Sequence, residues 1–405
     1  MLLSVAICVY NTDRAHFEEC LKSIRAQSLD GIQICVLDDG SDLDYSDLAE
    51  RYGLKYKKTE NRGIFEARCA AAELADGDFI AYVDSDDTLS FNYYLPMLRE
   101  ALLRGSDIVI NDWAFRTERS RYFSRSDLTL KNNISAEGED VLKLLTASGG
   151  KYHSLFVLWN KIYKRELLMK ALSLAKKYSE GIPNFNYSED ALINFFAYKC
   201  AKKLTNVHTG YYFYRIHGAQ TVNVVSEEKL RHQMRCMAHT LEIMLKNTPG
   251  DTVREGVRRW QELMSRHFYS HASANGYKSV YPEIKEAFSV DRLKRATMRD
   301  GAAYNSNLPL PENFDERESA LRVLCLSDGT REVSVSKKDT YALATLEHFI
   351  NAGEDIVITP TAELKIPTPK VSFKNRILLN GFVYSLGKLL FPKGSKIRRF
   401  LKAKI

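Results

Sequence analysis

No window of this 405-residue chain is long enough and free enough of charge to cross a bilayer as a helix, so any membrane role is expected to be played from the surface. Paired cysteines are also missing. The seven present, Cys8, Cys20, Cys35, Cys69, Cys200, Cys236 and Cys325, are scattered, odd in number and without a CxxC spacing. That argues against a disulfide framework and a structural zinc site, and fits a reducing cytosol. There is no internal repeat and no low-complexity tract. No basic segment precedes the apolar run Met1 to Tyr10, and polar Asn11-Thr12-Asp13 follows it, which reads as a buried strand rather than a signal peptide. Residues 370–405 lack acidic residues altogether: they hold ten Lys or Arg and no Asp or Glu. The chain's net charge of +7 therefore belongs to a tail, and the remainder is slightly acidic.

What is present is an ordinary globular composition, 45% apolar and 27% charged, on a chain long enough for two or more domains. The first hundred residues alternate short apolar runs with amphipathic stretches: Leu3–Val9, Phe17–Ala26, Gln33–Leu37, Gly63–Ala75 and Asp78–Val83. Strands alternating with helices predict an α/β fold with a mostly parallel sheet, whose ligands bind beyond the carboxyl ends of the strands. Three such ends stand out: Tyr10-Asn11, Asp38-Asp39-Gly40-Ser41 and Asp84-Ser85-Asp86-Asp87. Residues 111–225 read as mixed, with a strand at Asp107–Asn111, a helix at Ala191–Lys202 and an aromatic strand at Gly210–Arg215. From Ser226, Leu230, Met234, Met237, Leu241 and Met244 recur at helical spacing. After Pro249-Gly250, Val253, Val257, Trp260 and Met264 repeat the pattern, which predicts a helical hairpin. A proline-rich joint at 308–311 leads to a small α/β piece with strand Arg322–Leu326, helix Thr340–Asn351 and strand Ile356–Thr359. The expected divisions are 1–225, split near 110 into a nucleotide-binding and an acceptor half, then 226–305, 306–369 and the tail 370–405.

The carboxylates of Asp84, Asp86 and Asp87 emerge together at a strand end, where hard oxygen ligands suit a divalent cation that keeps positions open for phosphate oxygens. The bland alternative is a turn with a helix cap. A carboxylate such as Asp39 can accept the imide N–H of a uracil ring, or simply form an Asx turn. Asp190, at the start of a helix, suits either a general base or a charge favoured by the helix dipole. Trp159 can stack on an acceptor sugar or pack in the core. His267 and His271 have the four-residue spacing of metal ligands, but no Glu follows His267, so packing histidines are expected. His153, His208 and His232 receive no role.

The ordered segments Val9-Tyr10-Asn11, Val36-Leu37-Asp38-Asp39-Gly40-Ser41, Asn61-Arg62-Gly63 with Ala67-Arg68, Ala75-Asp76-Gly77-Asp78-Phe79 and Val83-Asp84-Ser85-Asp86-Asp87 resemble family 2 glycosyltransferases of the GT-A fold. Leu158-Trp159-Asn160-Lys161-Ile162-Tyr163-Lys164, Tyr187-Ser188-Glu189-Asp190 and Tyr212-Phe213-Tyr214-Arg215-Ile216-His217 are similar to that family's second half. The resemblance covers roughly residues 1–225. It implies inverting transfer of a sugar from a UDP-sugar to an acceptor hydroxyl. Asp39 would then meet the uracil, Arg68 the nucleotide and Asp84 the ribose. Asp86 would bind Mn²⁺ or Mg²⁺ on the diphosphate, with His217 as a further metal or diphosphate contact, and Asp190 would be the base. Tyr10, Trp159 and Glu189 are assigned to substrate contact. The chain departs from the family pattern at Cys8, where proline is frequent, and at Cys69, where asparagine is frequent.

In the tail, the stretch Arg376–Phe391 carries apolar groups (Ile377, Leu378, Leu379, Phe382, Val383, Leu386, Leu389, Leu390 and Phe391) flanked by Lys374, Arg376, Lys393, Lys396, Arg398 and Arg399. This suits an interfacial segment on an anionic membrane rather than a nucleic-acid arm; the bland alternative is apolar groups packed on the protein's own core with the charges as a solvated rim. The expectation is a cytoplasmic enzyme, peripheral on the inner face of the cell membrane, acting on a glycan or lipid-linked glycan of a surface polymer such as capsule, lipopolysaccharide or teichoic acid. A sugar-nucleotide pyrophosphorylase would show a glycine-rich, Arg-containing loop after the first strand, and Tyr10-Asn11-Thr12-Asp13-Arg14 is not one. A degenerate scaffold or glycan-binding module is the other alternative. The sugar, the linkage and the oligomeric state are left open.

Overall fold

The computed structural model describes residues 2–29, 31–117, 122–123, 134–147, 153–182, 184–216 and 226–294, together with three strands at 321–325, 331–335 and 356–359. Residues Met1–Thr359 form one compact unit. The expected helix at 340–351, His217 and the basic tail lie outside the described residues.

The first half is built from β1 (Leu3–Val9), α1 (Arg14–Arg25), β2 (Gln33–Asp38), α2 (Ser46–Arg51), β3 (Lys55–Lys58), α3 (Ile64–Glu73), β4 (Phe79–Asp84), the short β5 (Thr88–Leu89) and α4 (Tyr94–Arg104). β1 is a nearly continuous buried run, as a strand covered on both faces of a parallel sheet must be. α1 starts where Asp13 accepts the amides of Ala15 (2.9 Å) and His16 (3.1 Å), satisfying donors that no helical carbonyl can reach.

The second half adds β6 (Ile108–Thr117), β7 (Tyr122–Phe123), β8 (Ser135–Glu137), α5 (Glu139–Ala147), α6 (His153–Phe156), β9 (Lys161–Lys164), α7 (Arg165–Ser179), α8 (Glu189–Cys200) and β10 (Lys203–Ile216). The expected strand at 107–111 is thus the start of a longer one. The aromatic strand at 210–215 is the far half of β10, beyond an irregularity between Asn206 and Tyr211.

One sheet runs β3-β2-β1-β4-β9-β6-β10-β5, with β7 beside β6 and β8 beside β10. From β3 to β4 all pairings are parallel, and β6 and β10 are parallel as well. β9 lies antiparallel between β4 and β6 and joins the two halves. The register aligns the three strand ends singled out in the sequence: Val9 lies opposite Asp38, and Cys8 opposite Asp84.

Beyond β10 come the two long helices expected from the spacing, α9 (Glu227–Lys246) and α10 (Asp251–Ala274), then α11 (Tyr281–Ala287). They pack into the same unit: α10 lies against α5, and α9 against α8. Gly256 allows this closeness, since a Cβ there would sit 2.2 Å from the Thr146 carbonyl oxygen of α5. A separate three-stranded sheet pairs β11 (Leu321–Cys325) with β12 (Arg331–Val335) antiparallel and β12 with β13 (Ile356–Thr359) parallel. The strand at 331–335 was not legible in the pattern.

Candidate active site

At the β1 and β2 ends the backbone is folded by side chains. Asp38 is fully buried: Oδ1 accepts the Ser41 amide (2.7 Å) and Oδ2 the Tyr56 hydroxyl (2.6 Å), so this residue makes the Asx turn. Asp39, the expected uracil contact, is also buried, and its two oxygens accept the amides of Arg62 (2.8 Å) and Gly63 (2.9 Å). Its present work is therefore to fold the 61–63 segment over the strand end, although a carboxylate retains lone pairs for a further donor. Gly40, which follows Asp39, has φ +82°, and a Cβ there would meet the Asn61 nitrogen at 2.7 Å, which only glycine avoids. Tyr10, by contrast, is 55% exposed just beyond the β1 end.

The Asp84–Asp87 segment divides its carboxylates between two tasks. Asp87 is buried, with Oδ2 accepting the Tyr212 hydroxyl (2.6 Å) and Oδ1 the Arg215 amide (2.7 Å). The Asp84 amide donates to the same Tyr212 oxygen at 3.0 Å. Arg215 Nε donates to the Asp86 carbonyl (2.7 Å), and its guanidinium pairs with Glu19 of α1 (2.6 Å), which also holds Arg116 (2.5 Å). Burial alone would raise the Glu19 carboxyl, but these two guanidinium groups hold it down at about 2. Asp87, Tyr212, Arg215 and Glu19 thus form one hydrogen-bonded cluster that the sequence pattern did not reveal, joined to the backbone of Asp84 and Asp86. Asp84 has a third of its side chain exposed and Asp86 is half-buried. The Ser85 hydroxyl meets Thr12 at 2.6 Å, tying this loop to the β1 end.

Arg68 and Glu189 are placed differently from the substrate contacts expected of them. Arg68, on α3, is buried, and its guanidinium bonds Glu189 on one side and Asp84 (3.3 Å) on the other. Glu189 is likewise buried. The pair therefore links the β4 end to the start of α8 from beneath, as a charged bridge rather than a ligand surface.

Asp190 follows on α8, half-buried, with one oxygen on the Ala191 amide (2.7 Å). Burial first, and then the charge of Glu189, push its carboxyl up to about 7, against the opposing pull of Arg68. A carboxylate tuned near neutrality can take a proton without being a weak base. Asp84 is raised as well, by burial, with Arg68 opposing.

α8 is held at depth by a polar network. Lys161 is fully buried and donates to the carbonyls of Ser154 (2.6 Å) and Val157 (2.5 Å) and to Asn160 Oδ1 (2.6 Å). Asn194 and Tyr198 of α8 donate to the carbonyls of Phe156 (2.7 Å) and Leu155 (2.8 Å) in the same turn. Trp159, between these groups, belongs to the core. It is 4% exposed, stacks on Tyr212 at 4.4 Å and meets Trp113 edge-on at 5.2 Å, so its ring is not offered to an acceptor sugar. His267 is buried against Phe268 and His271, as expected of a packing residue.

Among the described residues no three His, Cys, Asp or Glu side chains are grouped to hold a metal ion. The hard oxygens of Asp86 and Asp84 at an open strand end fit a divalent cation only if other ligands come from elsewhere, such as a diphosphate and water.

The sequence profile of glycosyl transferase family 2 matches residues 4–169, a span that includes the β1, β2 and β4 ends and Arg68 but stops before Asp190. EpsH of Bacillus subtilis is 32% identical over 223 residues, 53% of this chain and 61% of its own length, so the chain spans less than two thirds of that relative. The cholesterol galactosyltransferase of Borreliella burgdorferi is 24% identical over 296 residues, 69% of this chain and 75% of that protein. Among solved structures, S. aureus TarS 1-349 in complex with UDP-GlcNAc superposes with a TM-score of 0.53 at 20% identity, covering 71% of this chain and 79% of TarS 1-349, a likeness of fold. The matched segment, the relatives and the sheet agree: residues 4–169 match glycosyl transferase family 2, and the mixed, mostly parallel sheet has the GT-A fold.

Proposed function

We propose that the protein is an inverting glycosyltransferase that moves a hexosyl or N-acetylhexosaminyl group from a UDP-sugar to an acceptor hydroxyl. The observation that carries this reading is the juxtaposition, across Arg68, of the Asp84 and Asp86 carboxylates at the β4 end with a carboxylate raised to about 7 at the start of α8. The first suits the donor's diphosphate and the second suits the acceptor's proton. The S. aureus TarS complexes with UDP and with UDP-GlcNAc support the choice of nucleotide.

In this reading Tyr10 and Asp39 line the uracil pocket and Asp84 lies by the ribose. Asp86 would hold Mn²⁺ or Mg²⁺, with His217 as a further contact outside the described residues. Bound there, the cation would supply positive charge to stabilise UDP as a leaving group. Asp190 accepts the acceptor hydroxyl's proton late in a single displacement, so no covalent nucleophile is needed. Arg68 opposes the rise that burial imposes on the Glu189 carboxyl, and Glu189 in turn adds to the rise at Asp190.

The acceptor is proposed to be a surface glycan or a lipid-linked glycan at the cytoplasmic face of the membrane, reached through the basic residues of 370–405. At about 1 kcal/mol for each cation near an anionic surface, a few of the ten would suffice to hold the enzyme there.

Release of UDP from a panel of UDP-sugars, with and without Mn²⁺, tests the reading. One sugar should be turned over in the presence of metal. No UDP release from any donor, together with retained glycan binding, would favour a non-enzymatic module.

A further inference from the structure

The segment 184–188, which leads into Glu189 and Asp190 at the start of α8, is an irregular stretch with two non-glycine residues in the left-handed region, Asn184 (φ 51°) and Ser188 (φ 65°). Side chains rarely adopt that conformation, and it persists where the surroundings over-determine it. Ser188 occupies the N-cap position of α8, yet its hydroxyl makes no cap bond to the helix. It turns instead to the Tyr187 carbonyl and to Thr240.

The surroundings responsible are on α9. His232, Cys236 and Thr240 are spaced four residues apart and so form one stripe of that helix. His232 Nε2 donates to the Asn184 carbonyl at 3.0 Å and meets Asn186 Oδ1 at 2.7 Å. The buried Cys236 sulfur, one turn on, lies 3.6 Å from His232 Nε2. The buried Thr240 hydroxyl lies 2.8 Å from the Ser188 hydroxyl. His232 and Thr240 thus hold the two ends of the segment, the second one residue before Glu189. From α10, Phe268 packs edge-on against the Tyr187 ring at 6.2 Å.

We propose that this polar stripe of α9 is a positioning device for Asp190, which makes the helical region beyond the matched segment 4–169 a working part of the active site. The proposal rests on the reading of Asp190 as the base. Arg68 anchors the start of α8 from the sheet side through Glu189, and the stripe anchors it from the opposite side in the chain. Loss of the stripe lets the segment relax, moving Asp190 against the acceptor hydroxyl while leaving Asp86 and the strand ends in place. Displacement of a reacting group by about 1 Å can cost on the order of 10²-fold in rate, so the effect falls on kcat rather than on donor binding.

Thr240→Val removes one hydroxyl and keeps the shape. In the full-length protein, kcat is expected to fall by about 10-fold or more, with the donor KM and UDP affinity within about twofold of wild type. Thr240→Ser should restore most of the rate. Unchanged kcat in Thr240→Val, or kcat and UDP affinity falling together with a lowered Tm that Thr240→Ser does not recover, would overturn the proposal. If Thr240→Val does not fold, His232→Gln carries the same measurements at a partly exposed site. Asp190→Asn, assayed beside them, separates the two readings. If it retains turnover, the base assignment fails and the proposal with it. If it abolishes turnover while Thr240→Val and His232→Gln are unaffected, the positioning role alone is wrong.

Discussion

Replacing Arg68 with methionine removes a buried guanidinium while keeping an unbranched side chain in the space it filled. Two carboxylates lose their partner, Glu189 and Asp84. Asp84 has a third of its side chain exposed, and water replaces much of what it loses, so its share is small. The Glu189 side chain is 8% exposed and has no such recourse. Removing one partner of a buried pair costs about 3–5 kcal/mol, and that range applies here to Glu189 alone. The penalty depends on pH in a defined direction. Burial already raises the Glu189 carboxyl above 4.5, and the variant raises it further by deleting the opposing charge. A carboxyl whose folded pKa exceeds its unfolded value binds more protons when folded, so its destabilisation is absent below 4.5 and grows as pH rises towards the folded pKa. Guanidinium unfolding of both proteins at pH 5 and pH 8 measures this. The stability gap should be about 3–5 kcal/mol at pH 8 and clearly smaller at pH 5. A gap below about 1 kcal/mol at pH 8, or one that widens on acidification, would refute the buried-bridge argument.

Three further outcomes are expected. Asp190→Asn should lower kcat by roughly 10²-fold or more with donor affinity little changed; in the wild type, kcat should decline as pH falls below about 7, because the base must be ionised, and a flat profile from pH 5 to 8 would remove Asp190 from that role. Asp86→Ala should abolish transfer and weaken UDP binding in Mn²⁺, as followed by calorimetry, and full wild-type activity in EDTA would contradict the metal reading. A chain ending at Pro369 should remain active on a small soluble acceptor and no longer sediment with anionic vesicles, whereas equal sedimentation by both forms would eliminate the membrane role of the tail.

Much of this architecture is written locally in the sequence. The apolar runs of β1, β2 and β4, each closing on Asn, Asp, Gly or Ser, mark strands and their carboxyl ends, because a period of hydrophobicity and a turn residue act over a few positions. The same holds for α9 and α10, whose apolar spacing needs no partner to be read. Tertiary structure decided what each charged or aromatic residue at those ends meets. Arg68 finds Glu189 across 121 positions of chain, and Asp87 finds Tyr212 across 125. Asp39 folds its own neighbourhood through two amides of the 61–63 segment, and Trp159 is withdrawn into the core by stacking on Tyr212. His232 had no sequence signal at all, and it lies beside the segment that carries Asp190 only because α9 packs on α8. Local pattern specifies which elements form. The insertion of β9 between β4 and β6, and the direction from which α8 then approaches the strand ends, specify which side chains become neighbours, since a buried charge takes whichever partner the topology brings within reach.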